Sequence, residues 1–428
     1  MAQARSKHLS WWRASSFKGF GLNLKGTGIS NQSYTLKACE GIHEISQQDW
    51  DACANPGRSG ADTGIPFDPF LSHAFLSALE QSHSAVAETG WAPYHLALEH
   101  ETKGVVGVVP MYLKSHSQGE YVFDYSWADA FERAGGRYYP KLQVSVPFTP
   151  ATGRRLLTRP DAEDPELEKY LLSGLMQVAE QMEVSSVHIT FSDKHQWDKM
   201  GELGFLQRTH NQFHWKNDNY SNFDDFLAAL SSKKRKNITR ERRGALEAGI
   251  EIERITGSDL TEEHWDAFYQ FYVDTGNRKW GTPYLKRQFF SIIGETMPDD
   301  TLLIMCKRDG RYVAGAINFI GGECLFGRNW GCIEHHPYLH FEVCYYQAIE
   351  FAIERGLKRV EAGAQGQHKL ARGYLPTHTY SAHWIANKSL RDAIDNYLTD
   401  ERRYVDEEID YITEQGPFKK PEGEAESE

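Results

Sequence analysis

The run L-A-L-E-H at 96–100, the turn E-T-K-G at 101–104 and the run V-V-G-V-V-P-M-Y-L at 105–113 recur in plan as L-L-I-M-C-K (302–307), R-D-G-R (308–311) and Y-V-A-G-A-I-N-F-I (312–320). Each set is a pair of short apolar runs around a glycine-bearing turn, the pattern of a β-hairpin. Gly107 and Gly315 hold equivalent places in the second run. Further along, residues 166–191 and 342–363 each space apolar residues three and four apart and then, after a short break, enter a buried run in which Val187 matches Val360. Those spacings predict an amphipathic helix followed by a strand. The order strand, strand, further strand, helix, strand therefore occurs twice, and the fold class is α/β organisation repeated in tandem. Gly107 and Val187 are 80 residues apart, whereas Gly315 and Val360 are 45 apart. The difference places an aromatic-rich insert at 115–150 of the first copy, with Tyr121, Phe123, Tyr125, Trp127, Phe131, Tyr138, Tyr139 and Phe148. Such an insert is either a functional loop or a satellite core.

The 428 residues are enough for two ordinary domains, and 40 % hydrophobic with 25 % charged residues is a globular composition. No apolar window is long enough for a membrane span. A net charge of −12 excludes a surface that coats DNA as a whole. Six cysteines without a C-x-x-C pair, and no secretory leader, point to free thiols in a reducing, cytoplasmic setting. Residues 1–39 lack Asp and Glu and interleave Arg5, Lys7, Arg13, Lys18, Lys25 and Lys37 with serines. That is the signature of a transit peptide, which in a eukaryote would mean mitochondrial or plastid import. The expected division is a leader at 1–39 outside the fold, a first domain at 40–220, a second domain at 221–412 opened by a basic helix, and an acidic, disordered tail at 413–428.

The stretches V-P-F-T-P-A-T-G-R-R-L-L (146–157), S-S-K-K-R-K (231–236), L-H-F-E-V-C-Y-Y-Q-A-I-E (339–350) and E-A-G-A-Q-G-Q-H-K-L-A-R-G-Y-L-P (361–376) resemble the FemABX group of aminoacyl transferases. The branch resembled is the uncharacterised one labelled peptidoglycan biosynthesis/recognition protein. The resemblance implies two tandem GNAT-like (acyl-CoA N-acyltransferase) domains, each a mixed, mostly antiparallel sheet flanked by helices. It implies transfer of an acyl or aminoacyl group to the amine of a small molecule, peptide or glycan-linked acceptor. Aminoacyl-tRNA or acyl-CoA would then be the co-substrate, with no tightly bound cofactor.

Candidate site residues follow. Gly153, Arg154 and Arg155 lie where a GNAT domain holds a pyrophosphate on backbone N–H groups, and arginine adds bidentate donors. The corresponding stretch of the second half, 334–343, has no glycine, so a standard CoA cradle is not expected there. Lys233, Lys234, Arg235, Lys236 and Arg240, followed by Arg242 and Arg243, oppose only Glu241 and could hold tRNA phosphates or a nucleotide-linked acceptor. In the loop 361–374, glycines allow sharp turns while Gln365, His368, Lys369 and Arg372 project. Acyl transfer to an amine needs a base and an oxyanion donor. His368 or Glu361 is the candidate base, and Lys369 or a nearby backbone N–H is the candidate oxyanion donor; of the three side chains the resemblance favours Lys369. Arg328, Trp330 and Glu334 are expected to face the same cleft, with Tyr125 and Trp127 of the insert contributing to substrate binding. Cys332, His335, His336, His340 and Cys344 have zinc-like spacings, but Cys344 runs into the apolar helix face, so no metal is expected. With neither G-x-S-x-G nor a Walker A loop, direct attack in a ternary complex is preferred to a covalent intermediate. The rival reading is a non-catalytic glycan- or peptide-binding module on the same fold.

Overall fold

Alternating burial and hairpin chemistry build sixteen strands in the computed structural model, which describes residues 21–25, 33–59, 63–279, 281, 283–363 and 366–419. The strands of the first half are β1 (Gly21–Lys25), β2 (Ser33–Cys39), β3 (Trp91–Pro93), β4 (His95–His100), β5 (Gly104–Val109), β6 (Met111–Lys114), β7 (Lys141–Val144), β8 (Leu157–Thr158), β9 (Ser186–Ser192) and β10 (Leu206–Lys216). Those of the second are β11 (Glu251–Thr256), β12 (Thr301–Arg308), β13 (Arg311–Ile320), β14 (Cys324–Cys332), β15 (Arg359–Glu361) and β16 (Leu375–Ile385). The helices that matter below are α1 (Gln47–Ala54), α2 (Tyr125–Arg133), α3 (Leu167–Gln181), α4 (Ser232–Leu246), α5 (Glu262–Lys279), α6 (Gln347–Glu354) and α7 (Lys388–Glu414).

Both quoted hairpins form, β4–β5 and β12–β13, with bulges between Leu98 and Glu99 and between Cys306 and Lys307. Gly107 opposes Leu98 and Gly315 opposes Met305, so the two glycines are equivalent in register. The helix-to-strand units also match. The α3 helix buries Leu167, Leu171, Leu172, Leu175 and Val178 at helical spacing. After each helix a strand pairs in parallel with the strand before it: Leu142 opposite Val187 in β7–β9, and Leu325 opposite Val360 in β14–β15. All other pairings of named strands are antiparallel. Each half is a mixed, mostly antiparallel sheet, the tandem GNAT-like arrangement.

The repeats are not separate in space. One sheet of eleven strands runs β11-β12-β13-β14-β15-β10-β16-β9-β7-β6-β3 through both halves, beside a five-stranded sheet β1-β2-β4-β5-β8. The last strand of each half has crossed over: β10 lies against β15, and β16 lies against β9. A single hydrophobic cluster joins Trp50, Phe70, Phe75 and Leu79 to Phe268, Phe290 and Phe319. The Phe70 ring alone meets Phe319 at 5.3 Å and Phe326 at 5.0 Å. Burying one such side chain is worth about 1.5–3 kcal/mol, so the halves share their stability.

Three sequence expectations change. Residues 33–39, set aside with the leader, form β2, which buries Tyr34 and Leu36 against β4 and α3. Residues 1–20 and 26–32 of that leader lie outside the described residues. The tail is ordered to Lys419, because Phe418 bridges Leu230 and packs on Phe226; residues 420–428 lie outside the described residues. The insert is shorter than 115–150, since β7 at 141–144 is a core strand. What remains holds α2 and a satellite core of Trp127 and Tyr138 with Leu206, Ile385 and Leu398.

That insert is anchored by a buried charge cluster. Lys141 in β7 reaches Glu120 at 2.7 Å, Asp124 at 2.5 Å and Ser117 at 3.0 Å. Lys114 sits opposite Lys141 in the β6–β7 ladder, over the Trp91 ring at 3.6 Å. Burial holds the Lys114 ammonium well below its ordinary range, while the two carboxylates overcome desolvation and raise Lys141. His188 and His383, joined Nδ1 to Nδ1 at 2.7 Å, complete the cluster and are pushed down by burial.

Candidate functional site

The short strand β15 alternates by nature: Val360 points into the α6 core, and Arg359 and Glu361 point the other way into a cleft of about 690 Å³ between the halves. Glu361 is almost wholly buried. Its Oε1 accepts from Arg359 Nε at 3.1 Å, and its Oε2 has no hydrogen-bond partner among the described residues, lying 3.9 Å from His214 Nε2. His214 is the cross-strand neighbour of Glu361 in β10, so the strand crossover itself brings these two groups together. A buried carboxylate oxygen without a donor costs about 1–3 kcal/mol, more when charged, and marks a place where a ligand can supply the missing bond.

The opposite wall comes from the first half, with Asp68, Thr152, Gly153 and Arg154. Asp68 is fixed from both sides of its peptide: its N–H donates to Asn55 Oδ1 at 2.9 Å, and Asn55 Nδ2 donates to its carbonyl at 3.0 Å. Its Oδ1 accepts from Phe70 N at 3.0 Å. Burial pushes the Asp68 carboxyl up to about 6, Arg155 pulls it down and Glu361 adds to the rise. Burial likewise lowers His214, chiefly against the pull of Glu361. Gly153 lets the backbone pass close to Asp68, since a Cβ there would meet Asp68 Oδ2 at 2.5 Å and displace that carboxyl.

Of the phosphate site expected at 153–155, Gly153 and Arg155 are committed to the fold itself. Beyond Val144 and Ile189, where β7 and β9 stop pairing, Gly153 forms a parallel bridge to Ser192 and exchanges bonds with Phe191 O and Asp193 N at 3.0 Å each. The chain thus fills the opening between its own diverging strands. Arg155 is spent on the carbonyls of Thr190, Arg154 and Ala151, and Arg154 on those of Cys53 and Ala54 at the end of α1. Arginine at a helix C-terminus is stabilising; Arg155 is buried with all three guanidinium nitrogens bonded, whereas Arg154 engages only its Nη2 and lines the cleft.

The loop after Glu361 is divided. Gln365 lies outside the described residues. Lys369 is buried, its Nζ donates to Gly363 O at 2.8 Å, and burial lowers it to about 8. His368 bonds Tyr345 Oη at 2.7 Å beside Phe341 and His340. Arg372 pairs with Glu241 of α4 at 2.9 Å, donates to His368 O and lies over the Phe341 ring at 3.4 Å, so it ties the loop to α4. Glu361 therefore lines the cleft, while His368 and Lys369 stand behind it at the far end of the same loop.

Arg328, Trp330 and Glu334 do not share one cleft. Ile317 opposes Asn329 and Asn318 opposes Gly327, which makes Arg328 the extra residue of a bulge. Arg328 turns to the carbonyl of Phe148 and the Phe70 ring, on the side of the shared core. Trp330 meets His340 at 5.5 Å on the α6 side. Glu334 sits in a surface group with Arg308, Arg311 and His336. Of the insert pair, Trp127 is buried in the satellite core and Tyr125 is half exposed, stacked on Phe123 at 5.3 Å. Neither lines the cleft. On α4, Arg242 is consumed by Glu342 and Glu350, but no ion pair among the described residues involves Lys233, Lys234, Arg235, Lys236 or Arg240. Lys233, Lys236 and Arg240 are exposed along one helix face.

Sequence reasoning missed Asp68, His214 and Arg359. The D-P dipeptide at 68–69 reads as a turn or cap, and only tertiary packing makes it a cleft wall. Arg359 and Glu361 carried a signal, since two charged residues flank a buried valine in a run otherwise read as core.

Among the described residues, no cluster of three or more His, Cys, Asp or Glu could hold a metal ion, and no helix is long and apolar enough to cross a membrane. No curated protein matches the chain. Among solved structures, FemX superposes with a TM-score of 0.51 at 14 % identity, over 82 % of this chain and 98 % of that one. L-PGS from Bacillus licheniformis gives 0.47 at 11 % identity over 79 % and 99 % of the two chains. A tandem GNAT protein from the clavulanic acid biosynthesis pathway gives 0.43 at 12 % over 82 % and 99 %. At these identities the likeness to FemX speaks for the fold alone. The FemAB-like profile, described as peptidoglycan biosynthesis/recognition, matches residues 41–420, and the chain belongs to that family.

Proposed function

We propose that the protein is an acyl or aminoacyl transferase that forms an amide on an amine acceptor bound in the cleft between the halves. The observation that carries this reading is the buried Glu361 carboxylate, whose Oε2 has no donor among the described residues and opens on a cleft of about 690 Å³. An acceptor ammonium would supply the missing bond and first give one proton to that oxygen. The free amine then attacks the donor's carbonyl carbon. As the tetrahedral intermediate collapses, the C–O or C–S bond to the tRNA hydroxyl or CoA thiol breaks and the second N–H proton goes to that leaving group. Burial shifts His214 toward its neutral form beside Glu361, while Asp68, raised to about 6, still ionises near neutral pH and adds a second carboxylate to the cleft wall that attracts an ammonium. Lys369 does not line the cleft; its Nζ holds Gly363 O at 2.8 Å and so positions the loop that follows Glu361, which leaves the oxyanion to a nearby backbone N–H. No nucleophile motif interrupts direct attack in a ternary complex. The donor is an aminoacyl-tRNA or an acyl-CoA. The free cations of α4 favour a polyanionic donor, and the filled opening of the first half disfavours CoA there.

The test incubates the protein with labelled bulk aminoacyl-tRNA, or labelled acetyl-CoA, and a mixture of lysyl peptides and amino sugars. Label that survives mild alkali reports an amide. Wild type should form it, and Glu361→Gln should lower kcat by roughly 10²–10⁴, with Lys369→Met lowering it as well. Equal rates for wild type and Glu361→Gln reject the assignment. Alkali-stable label from neither donor, together with saturable binding of a glycan or peptide that both variants retain, selects the binding-module reading instead.

A further inference from the structure

The C-terminal helix α7 carries a feature that the cleft does not use. Asn387 caps it, and Ile394, Leu398 and Ile409 bury its inner face. On its outer face Tyr397, Tyr404 and Tyr411 recur every seven residues and are 51 %, 60 % and 66 % exposed. At seven-residue spacing the three rings form one stripe, about 21 Å long at 1.5 Å per residue. The stripe continues into the insert. Arg208 joins the two, donating Nη1 to Phe123 O at 2.9 Å and pairing through Nε with Glu401 at 2.8 Å, while Tyr397 Oη donates to Glu401 at 3.0 Å. Phe123 and Tyr125, stacked on each other, are 48 % and 50 % exposed. Five of the large aromatic side chains that the fold leaves in water thus gather on one side of the molecule. Aromatic stripes of this kind mark protein interaction sites, tyrosine above all.

The charge around the stripe selects the occupant. From Tyr397 to Glu414 the helix has seven acids, Asp400, Glu401, Asp406, Glu407, Glu408, Asp410 and Glu414, against two bases, Arg402 and Arg403, of which Arg403 lies over the Tyr404 ring at 5.2 Å and pairs with Asp400. Asp400, Glu407, Asp410 and Glu414 are exposed. A nucleic acid or an anionic membrane would be repelled, and a second α7 would set acids against acids. We propose that this face docks a cationic amphipathic helix of another protein, its apolar residues lying on the tyrosines and its Lys or Arg residues on the flanking carboxylates. This is independent of the reaction assigned to the cleft.

The test uses the full chain and two synthetic 21-residue helical peptides with leucine at the first and fourth positions of each heptad, one with lysine elsewhere and one with glutamate. The lysine peptide should bind saturably and more weakly at 300 mM than at 50 mM salt, and the glutamate peptide should not bind. Tyr404→Ala/Tyr411→Ala should weaken binding at least tenfold, and Glu407→Lys/Asp410→Lys should both weaken it and flatten its salt dependence. These residues are exposed, so an unchanged melting curve certifies each variant. Binding of the lysine peptide that neither variant alters overturns the proposal, as does no binding at all. A doubled molar mass by light scattering that the tyrosine variant abolishes also overturns it, in favour of a second copy.

Discussion

Replacing Asp68 by asparagine isolates one carboxyl whose burial has a calculable consequence. The side chain keeps its shape, and the oxygen that accepts from Phe70 N remains available. In the folded chain burial moves the group from the ordinary 3.8 to about 6. At 1.36 kcal/mol per pH unit, ionised Asp68 is disfavoured in the folded state by roughly 3 kcal/mol. The sign is that of a raised acid. The folded state binds the proton more tightly, so this contribution lowers stability as pH rises from about 4 through 6 and leaves it lowered above. The substituted amide mimics the protonated acid at every pH. Asp68→Asn should therefore melt above wild type at pH 7.5 by roughly 3–6 °C, taking about 1–2 °C per kcal/mol for a chain longer than those with measured slopes. At pH 4.5 the gap should shrink to about a third. Buried histidines titrate in the opposite sense. His188, held down to about 3, and His210, held down to about 4, withdraw stability as pH falls below 6.5. They are common to both proteins, so the difference between the two melting curves removes them. The assay is a thermal melt of both proteins across pH 4.5–7.5, with transfer activity measured alongside. A gap that does not change with pH refutes the buried-acid account. A stabilised variant with reduced transfer is the expected exchange of stability for function at a cleft.

Lys141→Met should destabilise the fold by about 3–5 kcal/mol, because it strands Glu120 and Asp124 as buried anions; losing the exposed Lys37–Glu99 pair by Lys37→Met should cost under about 1 kcal/mol, and equal melting shifts would contradict the contrast. If α4 holds a tRNA strand, alanine at Lys233, Lys236 and Arg240 should reduce the log–log salt slope of RNA binding by about 2, at about 0.7 per lost phosphate contact. A slope unchanged by the triple substitution removes α4 from any nucleic-acid role.

Much of this fold is legible in the residues because its signals are local. Hairpins announce themselves through a glycine-bearing turn between β-rich runs, and α3 and α6 through three- and four-residue spacing, so the repeat and its register could be read before any coordinates. Resemblance in the stretch 361–376 placed Glu361 at a site, and the alternation of Arg359, Val360 and Glu361 followed from the two-residue period of a strand. The rest depends on which distant segments meet. Nothing in β10 or β16 states that they exchange places, since both simply read as buried strands, yet that exchange sets His214 beside Glu361. The T-G-R-R run has the composition of a phosphate loop, but a ladder bond to Ser192 turns it into a plug for its own sheet. One bulged residue sends Arg328 to the opposite side of the sheet from Trp330, and a register slip of that kind leaves no compositional trace. Asp68 acquires its raised affinity for a proton only from the burial that the folded chain gives it. Local propensity and periodicity determined the elements and their order; the pairing of strands far apart in the chain, and the burial it creates, decided where the charges meet and what they can do.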